Sequence, residues 1–183
     1  MTDTSWYPGE YRPDPAYPPH YRTMPDFLRY EDVAELELRG KRRDFWVRCR
    51  DSALREWAPL GLELRPARKS QPFGPDRVTF SLMNKADYGL EASAAHCFEV
   101  CKPIVPGTQG ADWVQVDREA FEQQYQSRTT GHLKYWLAHE FGHSLGFGHG
   151  GDGIMDQTPD HAVVNTEEIY AAKSYWGLYT NEA

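Results

Sequence analysis

Apolar and polar residues alternate in several short stretches of the chain, and this period of two predicts β-strands. The first stretch begins at Val33 and ends at Gly40, with Ala34, Leu36 and Leu38 on one face. Four later stretches continue the pattern between turn-forming residues. They are LELRP from Leu62, RVTFSL at 77–82, ASAAHCFEV at 92–100 and WVQVD at 113–117. We expect five strands, with the one at 92–100 on an exposed edge of the sheet.

Three other segments have the spacing of helices. In residues 44–60, apolar side chains recur at intervals of three and four, which is the period of an amphipathic helix. A long helix is predicted from about Thr129 to Gly146, where glycine suits a left-handed C-cap. The last helix begins at Asn165, and Glu168 three residues later completes a capping box. The element order predicts one α+β domain with a mixed sheet backed by helices.

The N-terminal segment has a different composition. Residues 1–26 contain six prolines among tyrosines and small polar residues, without a periodic apolar pattern. We interpret residues 1–32 as a Pro/Tyr-rich arm, either a loosely ordered tail or a wrap over the domain surface. An inhibitory pro-segment and a partner-docking arm are the alternatives. Residues 33–183 are assigned to one folded domain.

The composition is that of a folded protein and limits the classes of partner. Of the 183 residues, 40% are hydrophobic and 14% are aromatic, which is enough for the core of one domain. The net charge of −7 argues against a general nucleic-acid binder, because such proteins display basic patches that neutralise phosphates. We therefore expect no nucleic-acid partner, and we expect a monomer.

The compartment is not fixed by the sequence. No stretch approaches the roughly 20 apolar residues that span a bilayer, so no membrane association is expected. The first residues lack the basic start and apolar segment of a secretory signal, which leaves a cytoplasmic location or export by a non-standard route. Cys97 and Cys101 could close a small disulfide loop, or all three cysteines could stay reduced.

The chemistry of the chain is concentrated in AHEFGHSLGFGHGGDGIMD, residues 138–156. Residues four apart lie on one face of a helix, so His139 and His143 can direct imidazole nitrogens at one metal ion. Glu140 lies beside the first histidine, where a carboxylate can contact a metal-bound water without being a ligand. This spacing predicts two metal ligands and a general base on one helix.

A third ligand has to come from outside the helix. Gly146 can adopt the positive φ that a sharp turn requires, and His149 follows three residues later. Three histidines leave the fourth position open for water, which is typical of a catalytic zinc ion. The pattern His-Glu-x-x-His-x-x-Gly-x-x-His fixes five positions in eleven. A chance match in a chain of this size has odds on the order of one in 10⁵.

Residues 138–156 resemble the metzincin metallopeptidases, and they are closest to the matrixin-like branch. The resemblance implies His139, His143 and His149 as ligands of one catalytic Zn²⁺, Glu140 as general base and acid, and Met155 as a Met-turn methionine beneath the metal. It also implies a metzincin-like (zincin) domain over residues 33–183. Such a domain has a mixed twisted sheet with an antiparallel edge strand, a backing helix, an active-site helix and a C-terminal helix.

Two departures from the family pattern concern the chain after the third histidine. Only five residues separate His149 from Met155, so the part of the domain below the cleft is expected to be small. Gln157 occupies the position where astacin-like and serralysin-like members carry a tyrosine. We therefore expect no assisting tyrosine at that position.

Other candidate residues lie on both sides of the motif. Ala94, Ala95 and His96 belong to the expected edge strand, where an extended peptide substrate can pair with the main chain, although His96 is also explained as a surface histidine. Asp152 and Asp156 are candidate ligands of a structural Ca²⁺, with ordinary turn hydrogen bonding as the alternative. The residues from Asp156 to Pro159 are expected to line the specificity pocket, as the resemblance implies.

The function predicted from the sequence is that of an enzyme. We expect a zinc-dependent metalloendopeptidase, a hydrolase that cleaves peptide bonds of a protein or peptide substrate with Glu140 as general base and acid. The alternative from another class is a zinc-stabilised binding or structural component of a secreted or particle-associated assembly. A third hypothesis keeps the hydrolase chemistry but assigns it one narrow protein target, as in a toxin or effector.

Overall fold

The computed structural model describes residues 27–61, 63–67, 77–84, 86, 95–99, 112–144, 153–156 and 163–176. Five strands and five α-helices lie in these ranges. In chain order they are β1 (Phe27–Asp32), α1 (Val33–Glu37), α2 (Gly40–Glu56), β2 (Glu63–Pro66), β3 (Arg77–Met83), β4 (Ala95–Glu99), β5 (Asp112–Asp117), α3 (Arg118–Ser127), α4 (Gly131–Ser144) and α5 (Thr166–Trp176). A 3-10 turn at Ala58–Leu60 follows α2.

The five strands form one sheet in the order β2-β1-β3-β5-β4. Strands β2, β1, β3 and β5 run parallel to one another. Strand β4 is antiparallel to β5 and is the last strand on its side of the described sheet. Because parallel neighbours need long crossover connections, helices cover the faces of such a sheet.

The core lies between the sheet and the helices. Every residue from Val78 to Met83 in β3 is buried, and so is every residue from Val114 to Asp117 in β5. Burial on both faces is typical of the central strands of a parallel sheet. Helices α2 and α4 pack against each other in the same apolar cluster, and Phe141 of α4 stacks on Phe80 of β3 with ring centroids 6.3 Å apart.

The strand predicted to begin at Val33 is wrong, because this segment forms helix α1. The Oδ1 atom of Asp32 accepts a hydrogen bond from the backbone N–H of Glu35 at 2.7 Å and caps the helix. Ala34 and Leu38, four residues apart, are buried, whereas Leu36 between them is 54% exposed. A strand would have buried all three together. The sheet instead begins at β1, inside the range 1–32 that the sequence analysis assigned to the arm; residues 1–26 lie outside the described residues.

The element order predicted from the sequence patterns also lacks helix α3. Asp117 ends β5 and caps this helix by accepting a hydrogen bond from the N–H of Ala120 at 3.1 Å. Ala120 and Phe121 are buried on its inner face, and Arg128 ends it in the left-handed conformation at φ 55°. The fold class is therefore corrected to an α+β domain with four parallel strands, one antiparallel edge strand and five helices in the described part of the chain.

Other elements agree with the sequence patterns. Helix α2 buries side chains at helical spacing, and Gly61 follows it with φ 77°. Strands β2, β3, β4 and β5 lie within or close to the predicted stretches. Helix α5 begins with the predicted capping box, since Glu168 N–H donates to Asn165 Oδ1 at 2.8 Å and Asn165 N–H donates to Glu168 Oε2 at 2.9 Å. These confirmed elements have strong local signals.

Two further features concern helix length and cysteine chemistry. None of the helices in the described residues has both the length and the apolar composition needed to cross a membrane. Cys49 is a buried free thiol in α2, and burial raises its pKa to about 11. The side chain of Cys97 and all of Cys101 lie outside the described residues, so a disulfide between them stays a prediction.

Candidate metal centre

Helix α4 places two of the three predicted metal ligands side by side. The ring centroids of His139 and His143 are 4.8 Å apart, and the ring planes are nearly perpendicular at 87°. His139 is buried and His143 is half-buried. The helical spacing of four residues brings the two rings together, as the sequence predicts.

The orientation of the His139 ring is fixed by a backbone carbonyl from a distant segment. Its Nδ1 lies 2.6 Å from the carbonyl oxygen of Ile154. A carbonyl can only accept, so Nδ1 carries a proton and donates the hydrogen bond, which places the lone pair of the neutral ring on Nε2. Metal-ligating histidines commonly donate their other ring N–H in this way, because the bond fixes both tautomer and ring orientation. The geometry fits a nitrogen ligand.

Tyr135 lies one helical turn before His139 and contacts the same group. Its hydroxyl is 2.8 Å from His139 Nδ1, and it is within 3.4 Å of the Ile154 carbonyl and 3.3 Å of the Asp156 carbonyl. Burial raises the pKa of Tyr135, and the negative charge of Glu140 raises it further. The hydroxyl therefore keeps its proton and can donate a hydrogen bond to a carbonyl of the turn.

The turn at residues 153–156 lies directly against α4. Asp156 N–H donates to the Gly153 carbonyl at 3.2 Å and closes the turn. Met155 within it is fully buried. A Cβ atom on Gly142 would lie 2.8 Å from Trp57 Cζ2 and would overlap Met155 Sδ. The methionine therefore packs against α4 one residue before His143, and its approach requires glycine at position 142.

Helix α5 holds the other side of this turn. Glu168 is completely buried, and its Oε1 accepts a hydrogen bond from Met155 N–H at 2.8 Å. Its Oε2 accepts one from Ile154 N–H at 3.1 Å. A Cβ on Gly153 would lie 2.5 Å from Oε1, so only glycine leaves room for the carboxylate. The turn that bonds to His139 is thus fixed to α5.

The predicted general base, Glu140, lies on the same helix as the two histidines. Glu140 follows His139 on α4 and is 9% exposed. Trp57 Nε1–H donates to the carbonyl of Ala138 at 2.9 Å and fixes the preceding backbone to the end of α2. The backbone of the helix that carries the imidazoles and this carboxylate is therefore anchored to the end of α2.

Several predicted site residues lie outside the described residues. They are Ala94, Gly146, His149, Asp152 and the segment 157–159. Within the described ranges, no group of three or more His, Cys, Asp or Glu side chains that could hold a metal is found. His149 is therefore untested as third ligand, and so is the calcium site, of which only Asp156 is described.

The predicted substrate strand is described only in part. Ala95 begins β4 and pairs with Val116, and its side chain is buried rather than exposed to a substrate. His96 pairs with Gln115 across the two strands. Any peptide contact of Ala95 would therefore be made by its main chain.

Comparisons with known proteins leave the family unassigned. No protein-family model matches the chain, and no curated protein matches it. Among solved structures, a chain titled "GM1 bound form of the ECX AB5 holotoxin" is similar with a TM-score of 0.40 and 17% identity. The similarity covers 83% of this chain and 71% of that one. A likeness of this degree carries no argument about activity.

The predicted metzincin-like fold class is corrected to the topology that the described residues show. The described residues form an α+β arrangement with four parallel strands and the antiparallel strand β4. The motif resemblance of residues 138–156 stays a prediction from the sequence.

Sequence reasoning missed several residues that build this centre. Tyr135 could have been found, because it precedes His139 by the same four residues that separate the two histidines. Gly142 lies inside a predicted helix, where glycine costs stability, and that cost indicates a packing requirement. Glu168 was identified as a capping residue alone. No local pattern indicates its bonds to residues 154 and 155.

Proposed function

We propose that the protein is a zinc-dependent endopeptidase. The observation that carries this proposal is the pair of adjacent imidazoles on α4, with His139 held in one tautomer by the Ile154 carbonyl. The glutamate between the two histidines supplies the carboxylate that hydrolysis requires and that a purely structural metal site does not.

The residues proposed to hold zinc are His139, His143 and, from the sequence, His149. Imidazole nitrogen is a common zinc ligand, and three of them leave one position for water or substrate. Bound zinc would supply Lewis-acid polarisation of a carbonyl and would lower the pKa of water toward neutrality. Tyr135 and Ile154 contact the other ring nitrogen, Nδ1, and hold the His139 ring in its ligating tautomer.

Glu140 has two proton-transfer roles in this proposal. Its carboxylate accepts a proton from the attacking water, which makes the oxygen nucleophilic. It then delivers that proton to the amine nitrogen as the peptide bond breaks, so that the leaving group departs as a neutral amine. Its low exposure keeps bulk water from competing for the proton.

The edge strand β4 is the proposed docking line for the peptide. Its described residues bond on one side to β5, and β4 is the last strand in the sheet order. An extended peptide can add to such an edge through main-chain hydrogen bonds, which tolerate many side chains. Helix α4 packs close to β4, which brings the edge and the histidines into one region of the molecule.

The test combines metal analysis with a broad peptide library. The wild-type protein should cleave peptides, and a chelator should stop cleavage. Glu140→Gln should still bind zinc but lose at least about 100-fold in rate, because the general base is removed. Glu119→Gln changes an exposed glutamate of α3 and is the control that should cleave normally. Undiminished cleavage by Glu140→Gln would refute the assignment of the base.

The same library separates the competing hypotheses. Zinc binding without chelator-sensitive cleavage of any peptide would favour a zinc-stabilised binding component. Cleavage confined to one narrow sequence would favour an effector with a single protein target. Cleavage of many sequences, lost in Glu140→Gln, supports the general endopeptidase.

A further inference from the structure

Glu168 takes part in more interactions than helix capping requires. It is the third residue of α5, and its bond to Asn165 N–H is the ordinary capping-box contact. The same carboxylate also accepts the N–H groups of Ile154 and Met155, more than ten residues earlier in the chain. A buried carboxylate that accepts hydrogen bonds from several amide N–H groups is fixed in position, because charge-assisted hydrogen bonds are short and strong.

Residue 154 connects this carboxylate to the predicted metal ligand. Its N–H donates to Glu168 Oε2 at 3.1 Å, and its carbonyl accepts from His139 Nδ1–H at 2.6 Å. Any displacement of Ile154 therefore moves the acceptor that sets the His139 tautomer. Gly153 makes this arrangement sterically feasible, because a side chain there would collide with the carboxylate.

We propose that Glu168 is a positioning residue for His139, acting through the backbone of Ile154. The Glu168 carboxylate fixes the turn at residues 153–156. The Ile154 carbonyl of that turn then holds the His139 ring in the tautomer that carries its lone pair on Nε2. This role rests on the proposed function only in that His139 is a metal ligand. It couples the first turn of α5 to the ligand geometry of α4.

The substitution that tests this role is Glu168→Gln, which keeps the shape of the side chain. The amide offers one acceptor oxygen, and its NH₂ group faces a backbone N–H, so the contacts to the turn cannot all persist. Asn165→Ala is the matched control. It removes the acceptor for the Glu168 N–H and weakens the start of α5, but it leaves the carboxylate in place.

The first readout requires no metal. In ¹⁵N-labelled metal-free protein, the wild type and Asn165→Ala should both show His139 with a protonated Nδ1 in a strong hydrogen bond. Glu168→Gln should lose that downfield proton signal or show a mixture of tautomers. An unchanged His139 signal in a folded Glu168→Gln protein would overturn the proposal.

The second readout is zinc affinity, measured with the metal alone by competition with a chromogenic chelator. Glu168→Gln should weaken zinc binding on the order of 10-fold. This is the lower end of the loss in affinity seen when residues that orient a metal ligand are replaced. Asn165→Ala should bind zinc as the wild type does. An equal loss in both variants would mean that Glu168 acts only through helix stability, which would overturn the proposal.

Gly153→Ala disturbs the same hydrogen bonds by a change in the turn instead of in Glu168. It replaces Glu168→Gln in the test if that variant does not fold. The new methyl group displaces the carboxylate, so the His139 signal should change as in Glu168→Gln. A normal His139 signal in this variant would count against the positioning role. If the signal changes as expected but the wild type binds no zinc, the proposed function fails and the link from Glu168 to His139 stands.

Discussion

Single glycine residues decide how closely the segments around the candidate metal centre approach. At Gly142, Met155 and Trp57 occupy the space that a side chain would need. Both neighbours are buried, and the Trp57 indole is also bonded to the Ala138 carbonyl. The Trp57 side chain therefore cannot move aside without losing a buried hydrogen bond.

We expect Gly142→Ala to destabilise the protein by up to about 2 kcal/mol. Overpacking a core costs about 1–3 kcal/mol, and the helix preference of alanine returns at most about 1 kcal/mol. The measurement is the free energy of unfolding in urea. Gly131→Ala is the control on the same helix, because no atom lies within 4 Å of its new methyl group. Equal stability of the two variants would contradict the packing argument.

At the scale of elements, a buried charged cluster joins the start of α1 to α2. The carboxylate of Asp32 accepts hydrogen bonds from Trp46 Nε1 at 2.8 Å and from Arg50 Nη1 at 2.5 Å. The same guanidinium nitrogen donates to Glu35 Oε2 at 2.6 Å. Arg50 is 4% exposed, so the loss of one carboxylate would leave part of a buried charge uncompensated.

Glu35 gives this cluster a defined pH dependence. The hydrogen bond from Arg50 holds the pKa of the Glu35 carboxyl below its usual value of 4.5. A lowered folded-state pKa stabilises the protein above pH 4.5, and this stabilisation is lost as the pH falls through the lowered value. The difference in unfolding free energy between wild type and Glu35→Gln should therefore be largest near neutral pH and decline in acid.

The pKa shift of Asp32 has the opposite sign to that of Glu35, because burial raises the pKa of the Asp32 carboxyl. Its contribution declines as the pH rises through that raised value. Subtracting the Glu35→Gln curve from the wild-type curve isolates Glu35. Urea unfolding at several pH values provides both curves. A difference that grows as the pH is lowered would contradict the assigned shift.

The elements differ in how far their sequences predict them, for physical reasons. Helices α2 and α5 carry complete local signals, namely apolar spacing in one and the Asn165 capping box in the other. Helix α1 has five residues, too few for its period to be distinguished from strand alternation. Its start depends on the cap at Asp32, which sequence alternation does not show.

The candidate site is predictable to the extent that its contacts are local. His139, Glu140 and His143 are neighbours on one helix, and their spacing predicts their proximity. The acceptor for His139 comes from Ile154, fifteen residues later, and the carboxylate that holds Ile154 comes from α5. Contacts of this range depend on the folded chain, and no periodic pattern encodes them.

At the scale of the molecule, the site is assembled from three separate segments. Helix α4 carries the imidazoles, the 153–156 turn supplies the carbonyl, and α5 holds the turn. Helix α4 is in turn packed against α2 and the sheet. A ligand that binds this assembled site binds only the folded protein, so its binding energy adds to the stability of the whole domain.

Zinc should therefore raise the unfolding temperature. At a free zinc concentration 100 times the dissociation constant, the gain is about 2.7 kcal/mol, which corresponds to about 5–10 °C for a domain of this size. His143→Ala should abolish the shift, since it removes a predicted ligand. His132→Ala removes an exposed histidine of the same helix and should keep the shift. Calorimetry with zinc and with excess chelator measures each difference. A shift that persists in His143→Ala would place the metal at other residues.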